Sequence, residues 1–203
     1  MKKILFILVI FSVLFLSACN KQSTTNIQSS EEGATCSLND PEPTCSTDTV
    51  LDNSNFKITT TAFQSGGKIP GTYSCMGKNI NPDLEISGAP KGTQSFALIV
   101  HDPDASKGDR IHRMLRNIPA GSTKIEQGNT PAGSTIGENS RGKAEYRGPC
   151  PPSGTHRYYF KLYSLDTNYG DLPSQMTLEE FENITKPHIL GTTEIMGTYS
   201  SVK

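Results

Sequence analysis

The feature that most constrains this chain lies at its start. Lys2 and Lys3 precede an apolar run from Ile4 to Leu16, 13 residues broken only by Ser12. That length suits an export signal and is short of the ~20 residues that span a bilayer. Leu16-Ser17-Ala18-Cys19 follows, with small residues before a cysteine, and the sequence turns polar at once. This resembles the lipobox of bacterial lipoproteins, whose cysteine carries the lipid. Residues 1–18 are therefore expected to be a signal peptide and Cys19 a lipidated anchor, holding the rest outside the cytoplasm on an outer membrane or a single-membrane cell surface.

Removing residues 1–18 takes away Lys2 and Lys3, so the formal charge goes from −1 to −3. That balance argues against nucleic-acid binding, which calls for a clearly basic domain. The remaining cysteines are Cys36, Cys45, Cys75 and Cys150. In an oxidising compartment four cysteines allow three pairings, with free thiols as the other state. Cys36 and Cys45 share one short polar stretch, so a local loop is the cheapest closure, leaving Cys75 to pair with Cys150.

Residues 19–53 hold the anchor cysteine and a stretch rich in Ser, Thr, Asn, Glu and Pro without an aromatic residue. Such a segment buries too little apolar surface to offset its ordering entropy and reads as a tether, with a reach of ~30 Å for a flexible chain of this length. Residues 54–203 form the expected domain. Phe56–Thr61 alternates, Ser95–Val100 is continuously apolar as in a strand covered on both faces, Ile111–Arg116 is a shorter strand, and Tyr158–Leu165 is strongly aromatic. Thr177-Leu-Glu-Glu180 is a capping box that starts a helix ending near Ile184. Pro187 suits the opening of a second short helix, and Glu194–Ser200 a last strand. The fold class is mostly β with a few short helices toward the C-terminus.

Polar groups gather in His101-Asp102-Pro103-Asp104, at His112, and in Arg147-Gly-Pro-Cys-Pro-Pro-Ser-Gly-Thr-His156-Arg157. With Gly66-Gly-Lys-Ile-Pro70, Tyr73–Asn79, Gly88–Gly92, Asn117-Ile-Pro119 and Met196-Gly-Thr-Tyr199, these segments resemble the phosphatidylethanolamine-binding protein family, in its bacterial and archaeal Raf-kinase-inhibitor-like branch. The resemblance covers residues 54–203. It implies a sandwich of two antiparallel sheets with a small anion pocket at one end, lined by Asp102, His112, Gly148, Cys150, Pro152, His156 and Tyr158, with Asp104 and Arg157 in support. The expected ligand is a small anion or phospholipid headgroup. Ring N–H groups of His112 and His156 and amides of Gly148 and Cys150 are the expected donors, with Asp102 orienting a histidine or meeting an ammonium.

Departures from the family pattern are Ser106 for a proline, Arg113 and Arg141 for aromatics, and Ile86 for a frequent tryptophan. Two arginines in place of aromatics make a more basic rim. Strict strand alternation sets His112 on one face with Met114 and Arg116 and turns Arg113 to the other. An interaction protein, such as an inhibitor of an extracytoplasmic protease contacting its partner through Pro151-Pro152, is the second functional expectation. A hydrolase or metal site built on Asp102, His112 and His156 is the third, without a nucleophile motif to support it. The residues thus assign no catalytic group, no metal site and no cofactor.

Overall fold

A computed structural model describes residues 55–200. The signal peptide, Cys19, the polar stretch and the Cys36–Cys45 pairing lie outside the described residues. Among the described residues there are eight strands: β1 (Lys57–Thr59), β2 (Leu84–Ser87), β3 (Ser95–Asp102), β4 (Arg110–Pro119), β5 (Lys124–Ile125), β6 (Thr135–Gly137), β7 (Thr155–Leu165) and β8 (Ile189–Ser200). They form a three-stranded sheet, β1-β2-β5, and a five-stranded sheet, β6-β4-β3-β7-β8, with antiparallel neighbours throughout.

The apolar run of β3 is central in the large sheet, and every residue of it is buried. Phe96, Leu98 and Val100 meet Ile58, Leu84, Ile86 and Ile125 of the small sheet. Ala97 and Ile99, on the opposite face, join Ile111, Met114, Tyr163 and Phe181 in a second core. Each large apolar side chain so buried contributes ~1.5–3 kcal/mol, which is why the least polar strand takes the centre.

The α-helix α1 (Leu178–Thr185), the one α-helix among the described residues, begins at the expected capping box. The Glu180 amide donates to Thr177 Oγ1 at 3.1 Å, and the Thr177 amide donates to Glu180 Oε2 at 2.8 Å. Its Phe181 packs edge-on against Tyr163 at 5.3 Å between ring centres. Pro187 lies in a 3-10 turn, Lys186–His188, that leads into β8. Sequence reading did not assign β2, β5 or β6, which are two to four residues long.

Strand alternation fails in β4. Ile99 is opposite Met114 and Val100 opposite Arg113, yet His101 is opposite Ile111. His112 is therefore the extra residue of a β-bulge, which re-aims side chains as bulges do. Ile111 and Met114 share the helix-side core. His112 and Arg113 both turn toward the small-sheet side, where His112 meets Tyr158 and Arg113 meets Asn81. The expected grouping of His112 with Met114 and Arg116 is thus corrected.

Candidate functional site

The C-terminal end of β3, the start of β4, the start of β7 and the loop 147–152 converge on a pocket of about 230 Å³. Asp102, His112, Cys150, Pro152 and His156 line it, joined by Ala105, Ser106, Lys107, Arg110, Arg141, Arg147 and Pro151. Drug-sized ligands occupy pockets of ~300–1,000 Å³, so this one suits a small group.

Asp102 is only 3 % exposed, and both of its oxygens are engaged. Oδ1 accepts from the Asp104 amide at 2.9 Å, closing the Asp-Pro-Asp turn, and Oδ2 faces His156 Nδ1 at 2.8 Å. The Asp102 carboxylate therefore orients His156, fixing Nδ1 as the protonated nitrogen. Asp104 holds β7 from outside the pocket. Its oxygens accept from the Arg157 amide at 2.8 Å, Nε at 3.0 Å and Nη2 at 2.7 Å, and this paired guanidinium holds the Asp104 carboxyl down at about 2.

His112 is 3 % exposed and donates from Nδ1 to the Arg147 carbonyl at 2.7 Å. A carbonyl only accepts, so the proton is on Nδ1. Nε2 has no partner among the described residues. Burial lowers the His112 pKa below the ordinary value of 6.5, against the raising effects of the Arg147 carbonyl and Asp102. The neutral ring thus offers a lone pair at Nε2 where an N–H donor was expected. Tyr158 stands behind both histidines, 5.2 Å from the His112 ring and 6.5 Å from that of His156, and is fully buried outside the pocket lining.

The loop wall is tied down at successive residues. The Gly148 amide donates to Asn79 Oδ1 at 2.7 Å, so it braces the wall and is not a free donor to a ligand. A Cβ on Gly148 would collide with the Tyr73 carbonyl oxygen, which requires glycine there. The Cys75 amide donates to the Pro149 carbonyl at 3.1 Å, and a disulfide joins Cys75 to Cys150 with Cα atoms 5.5 Å apart, as the pairing from sequence expected. Pro151 is buried and Pro152 exposed.

Four cations that sequence reading did not place in the pocket's lining are Lys107, Arg110, Arg141 and Arg147, though a basic rim including Arg141 was expected. Arg113 lies elsewhere, donating to Asn81 Oδ1, the Asn129 carbonyl and Thr130 Oγ1. Among the described residues no group of three or more His, Cys, Asp or Glu is arranged to hold a metal ion.

Residues 59–200 match the family described as phosphatidylethanolamine-binding protein. The chain belongs to that family. A UPF0098 protein of Methanothermobacter thermautotrophicus is 43 % identical over 147 residues, covering 70 % of this chain and 97 % of the relative. Among solved structures, a phosphatidylethanolamine-binding protein homologue from Chlamydia trachomatis superposes with a TM-score of 0.67 at 36 % identity, covering 72 % of this chain and 98 % of its own. Escherichia coli YbcL, described as a member of the mammalian phosphatidylethanolamine-binding protein family, gives 0.67 at 31 % identity and covers 73 % and 99 %.

Proposed function

We propose that this chain is a lipid-anchored, extracytoplasmic binding protein whose pocket holds a small anion, free or as the headgroup of a phospholipid. The observation that carries this reading is the charge around the pocket. Lys107, Arg110, Arg141 and Arg147 line it, and none of them forms an ion pair among the described residues. Cations gathered without counter-ions repel one another, and an anion in their midst relieves that repulsion. The one carboxylate lining the pocket, Asp102, is already engaged by His156.

The family name gives a phospholipid as the class of ligand, and the pocket dimensions favour its headgroup over its acyl chains. The reading assigns no catalytic residue. In this reading its anchor is Cys19 and its location an outer membrane or a single-membrane cell surface, where phospholipid headgroups are abundant. Isothermal calorimetry with inorganic phosphate tests the pocket: the wild-type protein binds, and the His112→Ala/His156→Ala variant loses at least about tenfold, equal to 1.4 kcal/mol. Undiminished binding in that variant places the anion elsewhere and defeats the assignment.

A further inference from the structure

The β4 bulge gives His112 to one cavity and the next residue, Arg113, to another. The second cavity measures about 300 Å³ and shares no lining residue with the first. Such a volume suits a small molecule. Arg113 is buried, and burial lowers its pKa only to about 10, so it is a cation at neutral pH. Among the described residues it forms no ion pair. Glu145 also lines this cavity, but its charge acts on Arg147.

A guanidinium has five N–H donors, and Asn81 Oδ1, the Asn129 carbonyl and Thr130 Oγ1 take three of them. Nε is buried without a partner among the described residues, and Nη1 keeps its second hydrogen. A desolvated charge with unmet donors is costly, and an anion beside it offsets that cost. One unpaired cation calls for one negative charge. A dianion would carry an excess, with Glu145 alongside to repel it. Elsewhere in the lining, Asn81 is committed to the Pro82 and Glu126 carbonyls and the Tyr146 hydroxyl to the Tyr73 carbonyl. Ile80 and Ile136 add apolar surface, and Ile136 is one of three exposed large apolar side chains among the described residues.

We propose that this second cavity binds a small monocarboxylate carrying a short hydrocarbon group, with the carboxylate on Arg113 and the hydrocarbon against Ile80 and Ile136. Hydrogen bonds between guanidinium and carboxylate are charge-assisted and about twice as strong as neutral ones. A free acid and the C-terminal residue of a peptide share this chemistry. The site is independent of the pocket at the end of β3, and either can fail without the other.

An NMR titration of the purified protein with isovalerate, followed at the Arg113 Nε–H signal, tests this. The signal should shift and saturate, with isovaleramide at least about tenfold weaker for want of the charge. Acetate should be at least about threefold weaker for want of the hydrocarbon. Arg113→Met keeps the volume and should abolish isovalerate binding, whereas His112→Ala/His156→Ala should retain it. Ile136→Ser, at the surface of β6, should bring isovalerate down toward acetate, and it carries the test of location should Arg113→Met fail to fold. N-acetyl-Ala-Ala-Leu assigns the source: binding tighter than isovalerate marks a peptide C-terminus, and weaker binding marks a free acid. An unmoved Arg113 signal, equal binding of isovaleramide, or isovalerate affinity unchanged in Arg113→Met or in Ile136→Ser overturns the site and leaves Arg113 a structural tie. Isovalerate binding lost only in His112→Ala/His156→Ala also overturns it, by placing the acid in the first pocket, and leaves the proposed function standing.

Discussion

Arg113 carries a full positive charge where, among the described residues, no carboxylate meets it. It is 5 % exposed, and burial pulls its pKa down to about 10. Its hydrogen bonds go to neutral acceptors: Asn81 Oδ1 at 3.2 Å, the Asn129 carbonyl at 3.1 Å and Thr130 Oγ1 at 2.6 Å. Asn81 is in turn used up on its other side, donating to the Pro82 and Glu126 carbonyls. Truncation at this position strands buried acceptors and opens a cavity, whereas a long apolar side chain keeps the volume and removes the desolvated charge. Arg113→Ala is expected to lose about 2–3 kcal/mol in urea unfolding, and Arg113→Met distinctly less. Equal losses would mean that the charge, and not the packing of its stem, holds the Asn81 loop.

The loop 147–152 is short of regular structure, yet it forms one wall of the pocket and is fixed at Gly148, Pro149 and Cys150. The disulfide to Cys75 spans 75 residues of chain, and loop-closure entropy alone credits a cross-link of that span with about 4 kcal/mol. Cys75→Ser/Cys150→Ser should therefore unfold at lower urea, by roughly 2–4 kcal/mol, and bind phosphate more weakly than its remaining folded fraction predicts. Full affinity in the folded fraction would show that the Asn79–Gly148 bond suffices to hold the wall. Sequence patterns announced some elements clearly and others not at all, for physical reasons. The capping box of α1 is local, since Thr177 and Glu180 need only their own spacing to satisfy each other. The bulge in β4 is not local. It exists because Val100 and His101 pair with residues 113 and 111, and a strand read alone obeys alternation. The same limit hid Arg110 and Arg147, because a sequence shows a charge but not whether a partner stands beside it. Asp102, His112 and His156 were legible through the family pattern, which carries three-dimensional proximity that periodicity lacks.

For the molecule as a whole, the proposed anchor and the pocket are separate devices joined by chain, and each can be removed without the other. Cys19→Ala is expected to move the protein from the membrane to the soluble fraction while phosphate affinity, measured on the purified protein, stays unchanged. Continued sedimentation with membranes after extraction of peripheral proteins would refute the anchor. The sandwich itself draws its cohesion from β3, which is covered on both faces and contributes to both cores. The pocket wall is different, because it is completed by oxidation of Cys75 and Cys150. A chain still in a reducing compartment would have its sheets but an unfinished receptacle. On the proposed export route, loading would be tied to arrival: the protein would collect its proposed ligand at its destination and would make a poor courier for anything picked up before export.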